Sequence, residues 1–197
     1  MVRALLDGTK TQTRRVMNPQ PSEDWCPHAF TEVHKMASYG FKLRKGEPIV
    51  IGWGVTNRAG DEAYVSKHGQ IGDRLWVKET FRDCFNDTSG RKQFEYRADE
   101  SRIDADMCPV KWKPSIFCSQ KASRITLEIT GLCVERLNDI TQTDAIAEGI
   151  DIELPIADEI TGKKDFRAHY ADLWETINGP GTWAANPWVW VIQFKRI

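Results

Sequence analysis

The clearest signal in this chain is a two-residue alternation near its end. In "PWVWVIQFKRI", Val189, Val191 and Gln193 fall on one side of an extended backbone and Trp190, Ile192 and Phe194 on the other. That period predicts a strand. "SRITLEITGLCVERL" behaves alike: Ile125, Leu127 and Ile129 alternate with Thr126, Glu128 and Thr130 until Gly131 interrupts, so a strand pair is predicted. Shorter strands are expected in "TKTQTRRVM", "EPIVIGWGV", "EAYV", "GDRLWVKETF" (through Leu75, Val77 and Thr80) and "QFEYRA".

Three segments carry helix signals instead. "MVRALLDG" has apolar residues at 2, 5 and 6 and a C-capping Gly8. In "NDITQTDAIAEGI", Thr141 is the expected N-cap, Asp144 stands three places on as in a capping box, and Gly149 closes the end. "FRAHYADLWETING" spaces Phe166, Tyr170 and Trp174 four apart and stops at Asn178-Gly179-Pro180. Separated strands with a few short helices predict an α+β fold closed as a small barrel. The stretch around "NPQPSEDWCPHAF" and the polar region 83–115 read as loops or excursions from it.

Composition narrows the class. A length of 197 residues fits one domain with insertions. The net charge of −1 gives no global basic field, so any nucleic-acid contact must be a local patch such as "TRR", "FKLRKG" or "VKWKPS". Five irregularly spaced cysteines argue against a disulfide framework and for a reducing compartment. With no signal peptide and no apolar run of membrane-spanning length, a cytoplasmic protein without a membrane partner is expected.

Three familiar chemistries fail on spacing. "LDGTKTQTRR" has one glycine before Lys10 and a strand after it, whereas a phosphate loop needs G-x-x-x-x-G-K-[ST] opening a helix. Cys26, His28, His34, Cys108 and Cys118 match no zinc template, and neither metal nor cofactor is expected. No G-x-S-x-G is present, and His169 sits mid-helix. Glu148 is more informative. It lies one place before the capping glycine, facing the negative end of a helix dipole, an unfavourable placement costing about 0.3–1 kcal/mol. With partial burial such a carboxylate suits proton transfer.

Four segments, about half of the chain, occur in an order that resembles the phage and prophage branch of the ASCH family. They are "MVRALLDGTKTQTRRV", "GQIGDRLWVKET", "WKPSIFCSQKASRITLEITGLCVERLNDITQTDAIAEGI" and "FRAHYADLWETINGPGTWAANPWVWVIQFKRI". The resemblance implies a single PUA-like domain, a mixed β-barrel with "GDRLWVKE" as a central strand and insertions at 17–68 and 83–115. It also implies a host-cell cytoplasm location if the chain is phage-encoded. Related proteins include an amidohydrolase that deacetylates N(4)-acetylcytidine, to which a Lys, Thr, Glu triad is assigned.

Carried over by position, the pattern Gly-x-Lys-Thr-x-Thr falls on Gly8, Lys10, Thr11 and Thr13, and the glutamate falls on Glu148. Lys10, Thr13 and Glu148 are thus the catalytic candidates that the resemblance implies. Arg15 matches a basic residue two places on, a candidate for holding a phosphate or a carbonyl oxygen. Arg14, Trp76, Arg124 and Glu79 (the last a feature of the phage branch and outside the triad) are the other substrate-binding candidates. On a straight strand, positions 10 and 13 face opposite ways, so they converge only if Lys10 lies in the turn after Gly8. The expected substrate is a small nucleoside or nucleotide. The rival is a module binding RNA or single-stranded nucleic acid. There Arg14, Arg15, Lys78, Lys111 and Arg124 track phosphates while Trp76 or Trp112 stacks a base.

Overall fold

The computed structural model describes residues 1–22, 34–36, 52–56, 63–84, 93–102, 111–151 and 164–197. Strand β9 (Trp188–Arg196) is apolar on both faces and is therefore covered on both. It lies inside an antiparallel sheet of order β1 (Gln12–Val16), β9, β8 (Thr126–Arg136), β5 (Arg74–Trp76). The sheet curls into a half-barrel, and the fold is α+β with short helices.

On one face, Trp190, Ile192 and Phe194 pack with Ile129 and Val134 of β8 and with Leu5 of helix α1 (Val2–Leu6). On the other, Val189 and Val191 lie beneath helices α2 (Gln142–Ala147) and α3 (Phe166–Asn178), which contribute Ala145, Tyr170 and Trp174. The four-residue spacing in α3 thus marks its buried stripe. Ile129, Val134 and Val189 are fully enclosed, each worth roughly 1.5–3 kcal/mol of transfer free energy.

Three expectations change. The segment around Gly131 is one strand of eleven residues, not a pair. It pairs with β9 from Leu127↔Arg196 to Arg136↔Trp188, and the glycine marks a bulge between Ile129 and Gly131. A Cβ at Gly131 would stand 2.4 Å from Gln193 Oε1, so a side chain there requires the Gln193 amide to turn aside. Second, "GDRLWVKE" supplies an edge strand among the described residues, not a central one. The strand stops at Trp76, after which Glu79 turns inward to Arg124. Third, every strand pairing among the described residues is antiparallel, where a mixed barrel was implied.

Of the stretch 17–68, the described residues include the three-stranded sheet β2 (His34–Met36), β3 (Gly52–Thr56), β4 (Ala63–Val65). The hairpin β6 (Phe81–Cys84) and β7 (Gln93–Tyr96) opens the second excursion. No helix among the described residues is long and apolar enough to cross a membrane.

Helix α2 is short and depends on its cap. The Thr141 hydroxyl accepts from the Asp144 N–H at 3.1 Å, and Asp144 Oδ2 accepts from the Thr141 N–H at 3.1 Å and from its hydroxyl at 2.7 Å. Partial burial pushes the Asp144 carboxyl up. The Thr141 donors and the Gln12 amide outweigh it and hold the group below its usual value. A carboxyl lowered by folding stabilises the fold above its unfolded value and loses that contribution as pH falls through the folded one. Thr141→Ala is expected to cost about 1 kcal/mol, read by chemical denaturation at neutral pH. The stability gap between wild type and Asp144→Asn should begin to narrow as pH falls below about 4 and close only below the lowered folded value. A gap that does not narrow at all on acidification would exclude this role for the carboxylate.

Candidate active site

After α1 the chain reverses at Gly8 and docks against the end of α2. The Lys10 N–H donates to Ala4 O at 2.9 Å and the Thr11 N–H to Ala147 O at 2.8 Å. Gly149 permits the contact. Its φ is +87°, and an added Cβ would stand 3.0 Å from Lys10 Cβ and 3.1 Å from Ala4 Cβ. Lys10 therefore lies in the turn ahead of β1, and its side-chain partners are Gln12 and Glu148, not Thr13.

The Lys10 side chain points inward and is buried. Its Nζ donates to Gln12 O at 2.9 Å, Glu148 O at 2.6 Å and Glu148 Oε2 at 3.0 Å. The three acceptors account for all the protons of an ammonium. The other Glu148 oxygen accepts from Arg14 Nη1 at 3.1 Å. Arg14, its side chain 1% exposed, also donates from Nε and Nη2 to Glu135 Oε1 at 2.8 and 2.5 Å and lies 3.6 Å from Asp144 Oδ2. One carboxylate at the unfavourable end of α2 is thus held between two buried cations.

Burial pushes the Lys10 ammonium below its ordinary value; Glu148 opposes the shift, and Arg15 and Arg14 add to it. Burial also raises the Glu135 carboxyl, against the pull of Arg14. The Tyr170 hydroxyl is raised by burial and then by Glu148. A proton on Lys10 is easier to remove here than in water, while Tyr170 stays protonated.

Thr13 pairs with Ile192 and Arg14 with Val191, so their side chains leave opposite faces of β1. Both residues nonetheless line one cavity of about 130 Å³, together with Arg15, Glu148, Tyr170, Trp174 and Ile177 among others, whereas Lys10 does not line it. Thr13 is half-buried, and its hydroxyl makes no side-chain hydrogen bond among the described residues. Arg15 is exposed at the rim. A second cavity, of about 570 Å³, lies beyond Leu173 and holds none of the candidates.

The remaining candidates gather elsewhere. Glu79 is buried and binds Arg124 through both oxygens, at 3.1 and 3.0 Å. Arg124 also pairs with Asp99 and stacks 4.1 Å from the Tyr96 ring centroid. Trp76, on the edge strand opposite β1, lies beneath Lys78 at 5.3 Å, and Trp112 lies beneath Arg82 at 4.6 Å. None of these lines the cavity with Thr13 and Glu148. Cys26, His28 and Cys108 and the patch "FKLRKG" fall outside the described residues. Cys118 and Cys133 are free thiols, and burial pushes Cys133 up to about 11.

Sequence reasoning missed Glu135, Gln12 and the cavity role of Tyr170 and Trp174. The available signal was a polar residue at every second place of two strands, Gln12 and Arg14 on one and Glu135 after apolar positions on the other.

Arg14→Ala is expected to destabilise the fold by about 3 kcal/mol or more, because it strips a buried carboxylate of a partner. Arg15→Ala should stay within about 0.5 kcal/mol. Equal losses in urea denaturation would contradict this division between the two neighbours. No family model, no curated protein and no solved structure matches this chain.

Proposed function

We propose that the protein is an amide hydrolase acting on an N(4)-acylcytidine-type nucleoside, built on a PUA-like ASCH domain. One observation carries the reading. Lys10 and Glu148, 138 residues apart and each singled out by the resemblance, meet at 3.0 Å in a buried pair beside the cavity that Thr13 lines.

The chemistry follows from these groups. Lys10 first passes a proton to Glu148 across their 3.0 Å contact, leaving a neutral amine; Thr13 Oγ then attacks the acyl carbon and gives its proton to Lys10. Burial reduces the cost of the neutral amine. Arg14 holds Glu148 in place while protonated Glu148 delivers its proton to the exocyclic nitrogen as the carbon–nitrogen bond breaks. Water then attacks the Thr13 ester, releasing the carboxylic acid and restoring the hydroxyl.

The nucleic-acid-binding alternative loses support from the same geometry. Arg14 and Arg124 are engaged by carboxylates and are not free to track phosphates.

Deacylation of N(4)-acetylcytidine, followed by absorbance, tests the proposal. Wild type should turn over. Lys10→Ala, Thr13→Val and Glu148→Gln should each lose about 10²–10⁴-fold in kcat. Thr13→Val should do so at wild-type stability, whereas Lys10→Ala and Glu148→Gln also lose stability because each leaves a buried charge unpaired. Inactive wild type together with salt-sensitive binding of an oligonucleotide would favour the binding module.

A further inference from the structure

A cavity of about 130 Å³ is well below the ~300–1,000 Å³ of pockets that enclose a whole small ligand. On the amidohydrolase reading, only the acylated amide end of a nucleoside enters it. Sugar and substituents stay outside, along the rim, where the side chains differ sharply in character. Ile177 and Val16 are apolar and exposed. Of the two arginines that line it, Arg15 is the exposed one; Met1 also lines it.

The Arg15 guanidinium is oriented but not neutralised. Nη1 donates to Arg14 O at 3.2 Å, and no carboxylate is paired with it among the described residues. Arg14, one place earlier, has three carboxylates around it. Strand alternation produces the contrast, sending Arg14 to the face of the buried acids and Arg15 to the other. Burial and then the charges of Arg15 and Lys67 hold His68 below its usual value. An arginine held by one hydrogen bond keeps its remaining N–H donors for a planar or tetrahedral oxyanion.

We propose that Arg15 is a phosphate-binding residue at the cavity rim, so that the substrate is a phosphorylated nucleoside, as a free nucleotide or within a strand. This rests on the amidohydrolase reading for which end of the molecule enters the cavity. The phosphate contact itself does not depend on catalysis.

The test compares N(4)-acetylcytidine, its 5′-monophosphate and a short oligoribonucleotide carrying one N(4)-acetylcytidine. Wild type should favour a phosphorylated form about 10–100-fold in kcat/KM through KM, as one charge-assisted contact supplies. The preference should shrink as salt is raised. Arg15→Ala should abolish it and Arg15→Lys retain part of it. Preference for the monophosphate identifies a free nucleotide, and preference for the oligomer alone identifies a strand. Equal kcat/KM for nucleoside and monophosphate without preference for the oligomer, or a preference that survives in Arg15→Ala, overturns the proposal. Calorimetric binding of cytidine and cytidine 5′-monophosphate separates the two readings. Tighter binding of the monophosphate, lost in Arg15→Ala, with no turnover of any substrate, would leave the phosphate site standing and remove the hydrolase.

Discussion

The buried ion cluster of Lys10, Arg14 and Glu148 is the constraint on which the rest of the arrangement depends. Each charge withdrawn from water costs several kcal/mol, and pairing offsets that only where geometry is good and the remaining donors are met. Both conditions hold. Lys10 has three acceptors, Arg14 adds Glu135 and Asp144, and Glu148 gives one oxygen to each cation. These partners come from the turn after α1, from β1, from β8 and from the end of α2. No such element can shift by a residue without leaving a buried charge alone.

That requirement explains features that look unrelated. A carboxylate at the C-terminal end of a helix opposes the dipole, and here two cations compensate it. Gly149 gives up a side chain so that the Lys10 turn can approach, and Thr11 then hydrogen-bonds Ala147. The capping box holds the other end of α2 and orients Asp144, whose carbonyl and carboxylate also receive the Gln12 amide. Helix α2 is a six-residue element fixed at both ends by polar contacts, and it gains little from its own propensity.

What was legible in the sequence was local. The box at Thr141 and Asp144, the stripe through Tyr170 and Trp174 and the two-sided strand from Trp188 onward are periodicities or caps readable within a dozen residues. Strand order was not legible. Gly131 reads as a break because a glycine inside an alternating run has two meanings, a turn or a bulge, and only the long pairing with β9 decides. Arg14 and Arg124 read as surface cations for a similar reason. Their carboxylate partners lie 121 and 45 residues away, beyond any window of spacing. The meeting of Lys10 and Glu148 was foreseen through resemblance alone; nothing in either local pattern points to the other.

The stretch "TRR" shows how edge position turns one sequence pattern into two kinds of site. On an interior strand, successive residues enter separate layers and cannot serve one ligand. On β1, the outermost strand of this sheet among the described residues, residues from the two faces line one cavity. There Thr13 and Arg15 from one face share a cavity with Arg14 and Glu148 from the other. The buried arginine fixes the acid, and the exposed one stays charged toward solvent. Adjacent arginines that would be redundant in a basic patch thus divide the work of holding a protein carboxylate and meeting an external anion.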